Sequence, residues 1–187
     1  MAFDYPIILD LTENRVLVVG GGRIALRKIE GLMRAGARVR VVAPDVDEAI
    51  RELPVEVRQR PFESTDLDDV RLVLTATDEP EINAMVAAEA TRRGLWVNSA
   101  DDPANCTFTL PAVAREGLVT VAVSTGGATP ALSSHLRNEI QRWLEELGVA
   151  DAAVQLAAQR AELHDRGLST DTLDWSERVR AALRADG

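Results

Sequence analysis

The chain has 187 residues, 46% of them hydrophobic and 27% charged, an ordinary globular composition long enough for a Rossmann-sized domain with a smaller appendage. A net charge of −9 argues against general nucleic-acid binding, which needs a basic face to displace counterions. No apolar run approaches the roughly 20 residues that span a bilayer, the first residues (MAFDYP) lack a signal-peptide pattern, and Cys106 is the only cysteine, so the expectation is a cytoplasmic protein with no membrane association and no intrachain disulfide.

Residues 15–20 (RVLVVG), 38–43 (RVRVVA), 55–59, 71–76 (RLVLTA) and 95–98 (LWVN) read as strands. The first, second and fourth are nearly continuous apolar runs, as parallel strands buried on both faces require. Between them, residues 23–35 place Ala25, Ile29, Leu32 and Met33 on one helical face, and residues 81–93 do the same with Ile82, Val86 and Ala90. Such alternation predicts an α/β fold built on a parallel sheet. Residues 107–112 (TFTLPA) and 118–124 (LVTVAVS) predict two further strands joined around Arg115-Glu116-Gly117. A glycine-rich turn at 125–130 (TGGATP) then opens a helix in which Leu132, Leu136, Ile140 and Leu144 form one apolar stripe. From Val149 the chain is helical and alanine-rich, with Trp175, Val179 and Leu183 spaced by four.

The strongest local signal is Gly20-Gly21-Gly22-Arg23-Ile24-Ala25, which follows an apolar strand and opens an amphipathic helix. It matches the dinucleotide fingerprint G-x-G-x-x-A in its required context. Gly20 permits the tight turn, Gly22 lets the backbone approach a diphosphate, and Ala25 lets the helix pack closely on the sheet. The free N–H groups at the helix start would bind the diphosphate. Arg23, Arg27 and Lys28 add a local basic cluster. No Gly-Lys-Ser/Thr follows, so a P-loop is excluded. The acid expected about 20 residues on, against the ribose, arrives slightly late in Pro44-Asp45, and no arginine follows to take a 2′-phosphate; NAD is favoured over NADP. Thr77 and Asp78, past the fourth strand, could contact the ribose or nicotinamide side, or Asp78 could cap the helix beginning near Pro80.

In its first 147 residues or so the chain resembles the precorrin-2 dehydrogenase/sirohydrochlorin ferrochelatase family, which includes the amino-terminal module of siroheme synthases. The matching stretches are Tyr5-Pro6-Ile7, 18–28 (VVGGGRIALRK), 35–44 (AGARVRVVAP), 76–83 (ATDEPEIN), 98–103 (NSADDP), 108–112 (FTLPA) and 121–132 (VAVSTGGATPAL). The resemblance implies a Rossmann NAD-binding domain at 1–112, a dimerisation region at 113–148 and a small helical domain at 149–187. It implies NAD-dependent oxidation of precorrin-2 to sirohydrochlorin by a homodimer, and in some members Fe²⁺ insertion as well. The family's essential aspartate aligns with Asp101. Cofactor contacts fall on Gly20, Gly22, Arg23, Ile24, Pro44, Asp45, Thr77 and Asp78, and substrate contacts on Asn98, Ser124, Thr125 and Gly126. Chemically, a carboxylate past the end of a parallel strand can act as a general base, but Asp101-Asp102-Pro103 is equally a good turn. The substrate's carboxylate arms call for local positive charge, with Arg115, Arg137, Arg142 and a backbone nest at 124–127 as candidates. Ser133, Ser134 and His135 stand where relatives often carry basic residues. His135, His164 and Cys106 show no metal-ligand spacing. A non-catalytic NAD-sensing module is the alternative reading.

Overall fold

The computed structural model describes residues 5–100, 102–171 and 173–183. The chain divides into two compact units, Met1–Leu110 and Pro111–Gly187.

In the first unit five parallel strands, β1 (Arg15–Val19), β2 (Arg38–Val42), β3 (Glu56–Arg58), β4 (Leu72–Thr75) and β5 (Trp96–Ser99), lie in the order β3-β2-β1-β4-β5. The helices are α1 (Arg23–Arg34), the single turn α2 (Glu48–Arg51) and α3 (Pro80–Arg92). Alternate side chains of each strand feed opposite layers. Val16 and Val18 pack with Ala25, Ile29 and Leu32 of α1 and Ile50 of α2. Leu17 and Val19 pack with Val86, Ala87 and Ala90 of α3. This is a doubly wound sheet whose strand order reverses between β1 and β4, so a crevice opens past the carboxyl ends of those strands.

The strand expected at 107–112 does not form. Thr107 instead finishes β5 laterally: its N–H donates to Val97 O at 2.8 Å and its hydroxyl accepts the Val97 N–H at 2.8 Å. A threonine hydroxyl standing in for a ladder partner satisfies the backbone without a strand, and ladder pairing resumes only at Ala112.

Beside β3 an ion cluster centres on Asp66, a fully buried acid in a 3-10 turn. Arg58 donates to it at 2.7 Å, Arg60 donates twice at 2.7 and 2.8 Å, and the Glu63 N–H donates at 2.9 Å. Buried Arg40 donates to the Asp66 carbonyl at 3.3 Å, and its Nε lies 3.0 Å from Glu56 Oε1, close enough to pair in charge but off the hydrogen-bonding direction. Burial alone would push the Asp66 carboxyl up; the donors from Arg60, Glu63 and Arg58 outweigh it and hold the group at about 2. A depressed folded value means that the cluster stabilises the fold fully above the unfolded value near 3.8 and loses its contribution as pH falls through about 2. Asp66→Asn is expected to cost about 3 kcal/mol at neutral pH, because Arg58 and Arg60 lose their shared anion. Urea unfolding between about pH 4 and pH 2 checks this: the wild type loses about 2 kcal/mol there, whereas the variant lacks that slope.

The second unit comprises the antiparallel hairpin β6 (Ala112–Glu116) and β7 (Val119–Val123), then α4 (Pro130–Glu146), α5 (Val149–Asp165) and α6 (Ser176–Ala182). The hairpin turns at Gly117-Leu118, so Arg115 and Glu116, expected in the connection, belong to β6. Gly117 has φ +54, and a Cβ there would lie 2.9 Å from Ala150 Cα, so conformation and close approach both require glycine. The side chain of Gln141 acts as a strand partner for β6, accepting the Arg115 N–H at 2.9 Å and donating to the Arg115 carbonyl at 3.0 Å. That contact turns the Gln141 face of α4 toward β6 and leaves much of the apolar stripe uncovered within the described residues. Ser133 and Leu144 are buried, while Leu132, Leu136 and Trp143 remain 47%, 39% and 56% exposed.

Candidate active site

The glycine turn leaves β1 at the reversal point of the sheet. The Gly20 N–H donates to Val42 O at 3.0 Å, the Asp47 N–H to Gly21 O at 2.8 Å and the Ala76 N–H to Val19 O at 2.8 Å, so the turn is pinned between the ends of β2 and β4. Gly20 has φ +131, and a Cβ on it would sit 2.3 Å from Ala76 O; one on Gly21 would sit 2.0 Å from Asp45 O. These two glycines serve packing.

Gly22 is different. It is the N-cap of α1 with ordinary extended backbone, and a Cβ built there meets nothing within 4 Å. No side chain caps α1, and no acidic residue stands in its first turn. The result is an open approach to the amide groups of Arg23 and Ile24 at the positive end of a helix, which fits a diphosphate. Ala25, fully buried, brings α1 close to the sheet. Pro44 and Asp45 are exposed just past β2. Asp47 is engaged in capping α2, accepting the Ala49 N–H at 3.0 Å, and Asp45 is the acid whose backbone lies against the turn at Gly21.

Thr77 is held inward: its hydroxyl lies 2.9 Å from Asn83 Oδ1, and buried Asn83 donates back to the Thr77 carbonyl at 3.0 Å. Its contact with a nucleotide would have to use what this pairing leaves open. Asp78 is exposed and does not cap α3, whose N-cap is Glu79; the Glu79 N–H is taken by the Thr77 hydroxyl at 3.2 Å.

Asp101 lies outside the described residues. Its neighbour Asp102 accepts from Asn105 Nδ2 at 2.6 Å and starts the 3-10 turn Pro103–Asn105. Asn98 departs from the expected role in substrate contact. It is buried, its Oδ1 accepts from Lys28 Nζ at 2.7 Å, and its Nδ2 donates to the Phe108 carbonyl at 3.1 Å. An amide satisfied on both sides inside the protein orients neighbours and does not reach a ligand. Lys28, expected as part of a surface cluster with Arg23 and Arg27, is half-buried and turned to β5. The only available signal was that a chain otherwise relying on arginine keeps one lysine there. Burial pushes the Cys106 thiol up, so it is not a ready nucleophile.

In the second unit, Thr125 bonds Ser133 at 3.2 Å and accepts the Thr129 N–H at 3.0 Å, and the Gly126 N–H donates to Ser124 Oγ at 3.1 Å. The expected anion nest is therefore partly filled by the protein's own hydroxyl. Arg142 pairs with Glu139, and the side chain of Arg115 is exposed. Among the described residues, no group of three or more His, Cys, Asp and Glu side chains could hold a metal ion, and no helix is long and apolar enough to cross a membrane.

A family model described as "Putative NAD(P)-binding" matches residues 7–112, and one described as "Sirohaem biosynthesis protein central" matches residues 117–142. The chain is 44% identical over 168 residues to a siroheme synthase of Pseudomonas entomophila, covering 87% of this chain and 35% of that protein. It is 44% identical over 143 residues to a siroheme synthase of Methylococcus capsulatus, covering 74% and 30%. The chain thus spans about a third of the length of these curated relatives. Among solved structures it is similar to SirC, a precorrin-2 dehydrogenase, with 28% identity and a TM-score of 0.75, covering 95% of this chain and 87% of that one. With residues 7–112, more than half of its length, matched by the first model, the chain belongs to the family described as putative NAD(P)-binding, and its central region carries the match to the sirohaem biosynthesis model.

Proposed function

We propose that the protein is an NAD-dependent precorrin-2 dehydrogenase, which converts precorrin-2 and NAD⁺ to sirohydrochlorin, NADH and a proton. The observation that carries the reading is Gly22, a glycine the fold does not need, standing before an uncapped helix terminus in a chain with this kinship. The amides of Arg23 and Ile24 take the diphosphate, and the Asp45 carboxylate takes the ribose hydroxyls; no arginine immediately follows Asp45 in sequence to take a 2′-phosphate, hence NAD. Bound there, NAD⁺ is the two-electron oxidant. Asp101, on the segment after β5, takes the proton that the tetrapyrrole carbon releases. Ser124, Thr125 and Gly126 are assigned to the substrate's carboxylate arms, through the backbone left open by their own bonds. Two copies pair through the region 113–148; the exposed stripe of Leu132, Leu136 and Trp143 on α4 supports that assignment, since an apolar stripe of this kind is normally covered. A single free thiol suits the reducing cytoplasm.

Anaerobic incubation with precorrin-2 and NAD⁺ tests the reading. NADH and the sirohydrochlorin spectrum are expected in equal amounts. Binding of NAD⁺ with the tetrapyrrole left unchanged would instead identify a sensing module. Repeating the incubation with Fe²⁺ reads whether the same chain also inserts iron.

A further inference from the structure

A polar network in the first unit joins residues other than those assigned to the dinucleotide. Lys28, in the second turn of α1, donates to Asn98 Oδ1 across 70 residues of sequence. Asn98 Nδ2 donates to the Phe108 carbonyl at 3.1 Å and lies 3.7 Å from Cys106 Sγ. Cys106 Sγ accepts the Ser99 N–H at 3.1 Å and lies 3.3 Å from the carbonyl oxygens of both Ser99 and Asp102. Asn98 and Ser99 lead into the segment after β5; Cys106 and Phe108 lead out of it. The network therefore closes that segment at its base.

Lysine matters in this arrangement because it has only donors. By donating to Oδ1 it fixes which end of the Asn98 amide faces α1, and the Nδ2 end is then committed to Phe108 and Cys106. Without that donor the buried Oδ1 loses a charge-assisted bond and the amide its fixed orientation. We propose that Lys28 is a positioning residue: through Asn98 it ties the end of β5, which leads in sequence to Asp101, and the returning stretch at Cys106 and Phe108 to α1, the helix assigned to the dinucleotide. The catalytic consequence rests on the dehydrogenase reading; the brace itself does not.

Cys106, the only cysteine, sits within the network and reports on it without turnover. In the full chain, Lys28→Met is expected to speed labelling of Cys106 by an aromatic disulfide reagent about tenfold or more, with the thermal midpoint lowered by a few degrees and unfolding still a single transition. Lys28→Arg, which keeps a cationic donor, should label within about threefold of wild type. Once the wild type is seen to oxidise precorrin-2, Lys28→Met should lower kcat about tenfold or more while KM for NAD⁺ stays within about twofold, and Lys28→Arg should recover most of kcat. Adding Asn98→Ala to Lys28→Met should cost less than Asn98→Ala costs in the wild type, because the bond that the two share is already gone. If Lys28→Met does not fold, Lys28→Gln serves the same comparison. Unchanged labelling in the variant, or a raised KM for NAD⁺ with kcat intact, would overturn the proposal. Should the wild type leave precorrin-2 untouched, the dehydrogenase reading fails while the labelling rates still decide the brace.

Discussion

Gly22→Asp is expected to abolish NAD binding while leaving the protein as stable as before, or slightly more so. The backbone at Gly22 is ordinary extended chain and its Cβ position is open, so the fold accepts any side chain there. Aspartate is a better N-cap than glycine by a few tenths of a kcal/mol, and α1 has no side-chain cap to displace. The same carboxylate would fill the approach to the amides of Arg23 and Ile24 and repel a diphosphate. The dissociation constant should rise about 100-fold or more, equivalent to about 2.7 kcal/mol. Gly20→Ala makes the complementary control. Its φ of +131 and the 2.3 Å approach to a backbone oxygen predict a loss of about 3 kcal/mol or more, with binding failing only because the fold does. Calorimetric titration with NAD⁺ beside thermal unfolding separates the two. A Gly22→Asp protein that binds NAD⁺ normally would remove the basis of the cofactor assignment.

The contrast between these glycines marks where sequence reading stops. The motif and its strand–helix context were legible, because an apolar run such as 15–20 can be buried on both faces only inside a covered sheet, and the helix after it has a clear apolar face. The motif gave Gly20 to the turn and Gly22 to the approach of a diphosphate, but that Gly21 is as tightly confined as Gly20 was not legible, since that depends on Asp45 approaching from the end of β2. Strand 107–112 was misread because threonine-rich alternation looks alike whether its hydroxyls pair with a strand end or its backbone pairs in a ladder. Asp66 looked like one acid among many in an acidic chain; only the fold brings Arg58 and Arg60 to it. Asn98 was expected to meet the substrate, but its amide bonds inward, to a lysine far away in sequence and to the Phe108 carbonyl.

The adjacent acids 101 and 102 give the second large prediction. Asp101→Ala should lower kcat about 10³-fold, within the range expected for removal of a general base, and leave the NAD⁺ dissociation constant within about twofold, because the proposed diphosphate contacts are on α1. Asp102→Asn should behave otherwise. Its carboxylate is already occupied by Asn105 at 2.6 Å, and its carbonyl accepts from the Cys106 thiol, so its role is to shape the turn that opens at Pro103. An asparagine there can still accept from Asn105, and a third or more of wild-type kcat should survive, with a thermal midpoint lowered by a few degrees. Single-turnover NADH formation under anaerobic conditions, measured for both variants beside NAD⁺ titrations, decides between them. If Asp102→Asn proved the inactive one, the reactive acid would be the carboxylate bound to Asn105, and the alignment through Asn98 and Pro103 would be shifted by one residue. If neither variant lost turnover, proton removal would not depend on this segment, and the placement of the chemistry past β5 would fall.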